Sequence, residues 1–368
     1  PAPARPAPVG ARRADAFEIA AVALAAVPVA GFAANLVAWW RSPLPALTCA
    51  ALVLGIAAAV TALAYRGPWR HAPFGPAGCV AVVTGLVLGL DVLTGSGLQL
   101  NALAGYSALV AGRFVGFGNL AFAVFAAGCL VGAACLAQVT RGWRRTAVFA
   151  GVGAVAVLLT GAGAWGSDVG GIVALTPAFV IATLQARGSR LSAGRILAAV
   201  VGGLVTVSAF AAVDYARPAE ERTHLGRFVA DLFAGTAGTV IRRKAEANLN
   251  LLVDSQLTLL VLAVALFVPL VLFGPGGLRR VHGLYPCLRA GFTGTAVAAG
   301  IGFAVNDSGI AVPAFAAMVA VPLAVAVTLR VGASAGQGAR PRDPAGFDAP
   351  SRRRPGEVTD EVTDEVAP

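Results

Sequence analysis

Charge is what this sequence has least of. Only 12% of its 368 residues are Asp, Glu, Lys or Arg, about half the share usual in soluble chains, while 57% are hydrophobic. A water-soluble fold of this length has nowhere to hide so much apolar surface, so the bilayer is the solvent that the chain is built for. Five cysteines, Cys49, Cys79, Cys129, Cys135 and Cys287, form no C-x-x-C pair, and four lie inside apolar runs. They read as small buried hydrophobes, not as a disulfide framework or a zinc site. The three histidines have no metal-ligand neighbour at i+3 or i+4. No cofactor is expected either: GVGAVA from Gly151 mimics a dinucleotide fingerprint but lacks the strand and βαβ unit that the fingerprint needs. The opening PAPARPAPVGARR has neither the apolar core nor the cleavage site of a signal peptide, and a start on Pro reads as a piece of a longer protein.

What is abundant is the long apolar run. Segments able to cross a hydrocarbon core of about 30 Å fall near residues 17–40, 45–65, 77–94, 118–139, 146–164, 169–186, 195–213, 254–274, 288–305 and 309–330, which makes ten. The expected fold is therefore all-α, a polytopic transmembrane helix bundle with a disordered segment before it (1–16) and a Gly/Pro/Arg/Asp-rich tail after it (331–368), too poor in apolar residues to fold. The net charge of +10 would suggest nucleic acid in a soluble protein. Here the arginines occupy every second loop: Arg66 and Arg70; Arg141, Arg144 and Arg145; Arg187, Arg190 and Arg195; Arg279, Arg280 and Arg289. That alternation is an orientation signal and not a polyanion patch, so no nucleic-acid partner is expected; it predicts a multi-pass protein of the plasma membrane with both termini cytoplasmic. The alternate short loops hold only Arg41 and Arg113.

The long outer connection, about 214–253, has amphipathic spacing. Leu225, Phe228, Val229, Leu232 and Phe233 share one helical face against Glu220, His224, Arg227 and Asp231, and Ile241, Ala245, Leu249 and Leu252 repeat the pattern less cleanly. Two short helices lying along the outer surface are expected there.

Ionisable groups within spans are costly, so they point to pairing or to function. Asp91, Asp168, Asp254 and Asp307 all fall at similar depth on the outer side. Asp168 and Asp254 stand where an Asp can cap a helix; Asp91 lies inside its span and needs a partner. The stretch GYSALVAGRFVGFGN, residues 105–119, holds four glycines and Arg113. Such a density predicts irregular backbone dipping into the membrane, tolerated only where protein or water lines it. Arg113 either pairs with Asp91 or presents its guanidinium fork to a phosphate or carboxylate of a ligand. WGSDVGG (165–171) and NDSG (306–309, with Asn306 and Asp307) are further polar glycine turns on the same side. They are either ordinary tight turns or the parts of one cavity, as in broken-helix transporter sites. His224, the outer histidine, is either a general base beside Glu220 or a solvated surface residue. Gly128 and Gly132 form a small-xxx-small pair for helix packing.

Through GYSALVAGRFVGFGN, WGSDVGGIVALTPAF, RTHLGRFV and NDSGIAVP, over about residues 85–325, the chain resembles a group of uncharacterised polytopic membrane proteins of high-GC Gram-positive bacteria. A fainter resemblance runs to O-antigen ligases and polymerases, which join lipid-linked glycans on the outer face. It rests on many spans, a membrane-embedded Arg near a Gly-Asn turn (Arg113 and GFGN ending at Asn119) and a late outer loop with a histidine; no Pro follows Asn119, and the outer loop is short. That resemblance implies Arg113, Arg217 and Arg222 as ligands of a lipid diphosphate and His224 as the base activating an acceptor hydroxyl. The expectation is an envelope protein that handles a lipid-linked or anionic substrate, such as a polyprenyl-linked glycan, at the outer face. Its competitors are an ion-coupled transporter or flippase working through Asp91, Asp168 and Asp307, and a non-catalytic scaffold for a membrane or envelope protein partner.

Overall fold

In lipid a backbone must satisfy its own N–H and C=O groups, which leaves the α-helix as the form for each apolar run. The computed structural model of the chain describes residues 9–336 apart from 108, 110–113, 190–191, 223 and all of 236–275 except 238, 242, 246, 259, 265 and 269. Among the described residues it is all-α, with eleven helices: α1 (Val9–Ala33), α2 (Pro45–Arg66), α3 (Gly75–Leu93), α4 (Asn119–Gln138), α5 (Trp143–Gly161), α6 (Val169–Ala186), α7 (Ala193–Tyr215), α8 (His224–Phe233), α9 (Gly276–Leu284), α10 (Pro286–Val305) and α11 (Ala311–Gly336). Nine are long and apolar enough to cross a membrane. Most of the run at 254–274, with Asp254, and most of the second amphipathic stretch lie outside the described residues. The chain is a polytopic transmembrane helix bundle.

Helix α4 runs through the centre, packed between α3, α10, α11 and α5. Its sequence explains that place: most of its residues are Ala, Gly, Val or Leu, so neighbouring backbones close in where lipid supplies no hydrophobic drive and packing must hold the helices together. A Cβ on Gly128 would stand 2.9 Å from the backbone N of Gly85, and one on Gly291 of α10 would stand 2.8 Å from the backbone O of Leu130. Thr84, Thr160 and Thr295 bury their hydroxyls by donating to the carbonyl one turn back, at 2.7–2.9 Å. Helices α2, α5 and α7 lie at the periphery and turn Leu54, Leu158 and Leu204 outward, as a lipid-facing surface requires.

The bundle has two unlike ends. At one end are the arginine-bearing connections. Glu18 of α1 is buried there, accepting from the Tyr65 hydroxyl of α2 and from Arg330 Nη1 of α11, both at 2.7 Å, while Arg330 Nη2 also donates to the Arg70 carbonyl. Gln138, at the same end of α4, accepts from the Cys287 amide at 3.0 Å. Helix α9, short and carrying Arg279 and Arg280, packs here against α10 and α11; the apolar-run reading of the sequence passes over it. At the other end are the polar glycine turns.

Candidate functional site

The polar end is built outward from Asp91, in the last turn of α3 and 4% exposed. Its Oδ1 accepts from the Leu98 amide at 2.7 Å and its Oδ2 from Gln99 Nε2 at 2.9 Å, and its carbonyl accepts from the Ser96 amide at 2.7 Å. The carboxylate therefore ties down the reversal of the chain just after the span, where Gly95 and Ser96 have φ of +100° and +62°. Ser96 and Gln99, fixed this way, reach forward. Ser96 Oγ accepts from the Gly116 amide and Gln99 Oε1 from the Gly118 amide, each at 2.9 Å. Two amides that would be orphaned ahead of α4 are thus satisfied inside the protein.

Gly105, Gly116 and Gly118 are there for clearance. Gly116 has φ +101°, and a Cβ on it would lie 2.5 Å from the carbonyl oxygen of Gly166, in the second polar turn. The Phe117 amide donates to that same oxygen at 2.8 Å. At the second turn Asp168, 6% exposed, caps α6 by accepting the Gly171 amide on Oδ1 at 3.0 Å. The third turn closes on both others. Asn119, the first residue of α4, donates through Nδ2 to Asp307 Oδ1 and to Ser308 Oγ, the latter at 2.8 Å. Asn306 is buried against the first turn of α6, where a Cβ on Gly170 would collide with its Oδ1; its Nδ2 has no hydrogen-bond partner among the described residues.

The structure thus brings Asn119, Asp168, Asn306 and Asp307 together at the adjoining N-terminal ends of α4 and α6, with Asp91 behind them holding the loop. The partners of the Asp91 carboxylate are Leu98 and Gln99; Arg113 lies outside the described residues, so its pairing does too. Both helix ends present the positive end of a dipole to this spot, and three carboxylates attend it. Among the described residues no group of three or more His, Cys, Asp or Glu is placed to hold a metal.

The outer-loop candidates gather elsewhere, at the end of α7. Asp214, buried, accepts the Gly226 amide of α8 at 2.6 Å and pairs with Arg217 at 3.6 Å. Arg222 donates to the Arg217 carbonyl at 3.1 Å and lies 4.3 Å over the Tyr215 ring. Arg217 and Arg222 are thus engaged with the end of α7 and the connection after it, while Asp214 ties α8 to α7. His224 opens α8, and its side chain is outside the described residues. Residues passed over by sequence reasoning are Ser96, Gln99 and Asn35, which donates to the Leu98 and Leu100 carbonyls at 3.3 and 2.9 Å. Uncharged polar side chains beside a span carry no cost high enough to draw notice; the one usable clue was that Ser96 and Gln99 lie within eight residues of a buried Asp.

These features define a multi-pass α-helical membrane protein with one arginine-bearing end and one end closed by interlocked polar turns. No family model, no curated protein and no solved structure matches the chain.

Proposed function

We propose that the protein is a cell-envelope component of the plasma membrane that holds an anionic, lipid-linked substrate at its polar end, facing away from the cytoplasm. The observation that carries this reading is the meeting of three polar glycine turns at the adjoining N-termini of α4 and α6. Paired helix N-termini favour negative charge, and close backbone approach lets amides reach a phosphate. On this reading Arg113, three residues before Gly116 in the sequence, supplies the fork for that group. The sidedness follows from the arginines, which mark the opposite end as cytoplasmic.

On the resemblance to O-antigen ligases and polymerases, the substrate is a polyprenyl-linked glycan with His224 as base; Arg217 and Arg222, which that resemblance also assigns to the diphosphate, are bonded at the end of α7, apart from the three turns. Arg113→Ala and His224→Ala then abolish activity in a protein that still folds and inserts, and normal envelope glycan profiles in both variants remove the catalytic version. Binding of a polyprenyl phosphate by the purified full chain, lost on Arg113→Ala, tests the holding function itself; binding that survives the substitution overturns it.

A second reading, an ion-coupled transporter or flippase, draws on Asp168 and Asp307 standing at one cluster with Asp91 behind them. Proton-dependent uptake into liposomes that disappears with Asp307→Asn supports it; absence of such uptake, with an outer-face phenotype intact, removes it. A scaffold role draws on Leu232 and Phe233, exposed on α8. Loss of a co-purifying envelope protein on Phe233→Ser is the corresponding test, and unchanged co-purification counts against that role.

A further inference from the structure

The arginine-bearing end holds a cleft that the polar-end reading leaves unused. It lies between the first turn of α5 and the last of α6, has a volume of about 690 Å³, and is walled by Trp143, Arg145, Thr146 and Arg187 above a floor of Ala147 and Ala150. That volume is within the range of sites for small molecules and headgroups. Arg145 and Arg187 stand on opposite walls, each steadied by one bond: Arg145 Nε to the Thr140 carbonyl at 2.9 Å, and Arg187 Nε to Thr146 Oγ1 at 3.3 Å. Neither makes an ion pair among the described residues, and no acidic side chain lines the cleft. Two guanidinium forks facing one space, with exposed Arg141 and Arg144 beside it, call for an anion.

The floor decides which anion. Ala147 and Ala150 are exposed and lie one turn apart on a membrane-spanning helix, so the cleft continues from the arginines down the flank of α5 into the apolar zone. Trp143, first residue of α5, is 77% exposed at the rim, at the level where indole rings settle among headgroups. A soluble phosphate ester has no use for an apolar floor that descends along a span; a phospholipid does. We propose that this cleft binds an anionic phospholipid from the leaflet at the arginine end, its phosphate bridged by Arg145 and Arg187 and an acyl chain lying over Ala147 and Ala150.

The test uses the purified full chain in detergent and counts retained lipid by native mass spectrometry against phosphatidylglycerol and phosphatidylcholine, with glycerol 3-phosphate as the soluble competitor. Phosphatidylglycerol is expected to be preferred, and the preference to fall on the order of tenfold in the Arg145→Gln/Arg187→Gln double variant. It is also expected to fall in Ala150→Trp, which fills the floor and leaves every arginine in place. Arg279→Gln/Arg280→Gln, at the same end, is expected to keep it. Equal retention of the two lipids, a preference unchanged in both cleft variants, or one lost equally in the Arg279/Arg280 variant overturns the site. Displacement by glycerol 3-phosphate overturns the lipid in favour of a soluble phosphate.

Discussion

Asn119 gives the clearest expectation at the scale of single residues. One side-chain amide there joins the start of α4 to both Asp307 and Ser308, so Asn119→Ala leaves two polar groups without their donor. The expected cost is about 1–2 kcal/mol, read as a lower unfolding temperature in detergent. His282 of α9 gives a pH dependence. Burial first, and the nearby Arg289 second, push its imidazole from the usual 6.5 down to about 4. Because the folded value is the lower one, the unfolded chain binds more protons between the two. The stability tied to a neutral His282 is whole above about pH 6.5 and is lost as the pH falls toward 4. His282→Gln should flatten that part of the stability profile, whereas an identical acid slope in both proteins refutes the assignment. Sequence alone exposed the residues whose presence in an apolar run is costly: Asp91, Asp168 and Asp307 stood out, and all three proved to be in ordered contacts. It exposed neither Gln99 nor Glu18, because an amide in a loop and an acid in a helix's first turns look ordinary until the partner, Gly118 or Arg330, is seen beside them.

Elements were far more legible, since a run of about twenty apolar residues is a length measurement that the bilayer imposes. The nine described spans begin and end within a few residues of the runs. What periodicity could not supply was neighbours. Nothing in the order of the runs says that α4 is enclosed while α2 and α7 face lipid; that difference lies in glycine placement, which becomes meaningful only when the facing helix is known. Gly128 is the position to probe. Gly85 N, Ala81 O and Thr84 Cβ lie 2.9–3.0 Å from where its β-carbon would stand. Gly128→Leu must therefore separate α3 from α4, and a loss of roughly 1–3 kcal/mol or more is expected. The same change at Gly151, whose Cβ direction is open, should be close to neutral, so comparing the two melting temperatures separates packing from helix propensity.

For the whole molecule, the alternation of arginines forecast two distinct ends, and the bundle gathers the arginine connections at one and the polar turns at the other. Which end meets the cytoplasm is a property of the inserted protein and can be read with single cysteines. Gly97→Cys lies in the polar-end loop and Gly283→Cys on α9, both exposed with open Cβ directions. An impermeant maleimide on intact cells should modify the first and spare the second; the reverse pattern inverts the topology and, with it, the outer-face proposal. The bond between Glu18 and Arg330 has a bearing on how such a molecule is made. Its two halves are 312 residues apart, so α1 enters the membrane carrying a carboxylate whose counter-charge the ribosome delivers only much later. Every nascent chain passes through a period in which that acid is unmet, and a chain halted at Val325 never leaves it. Pulse-chase labelling should find the halted chain short-lived, and Glu18→Gln should lengthen its life while shortening that of the complete protein.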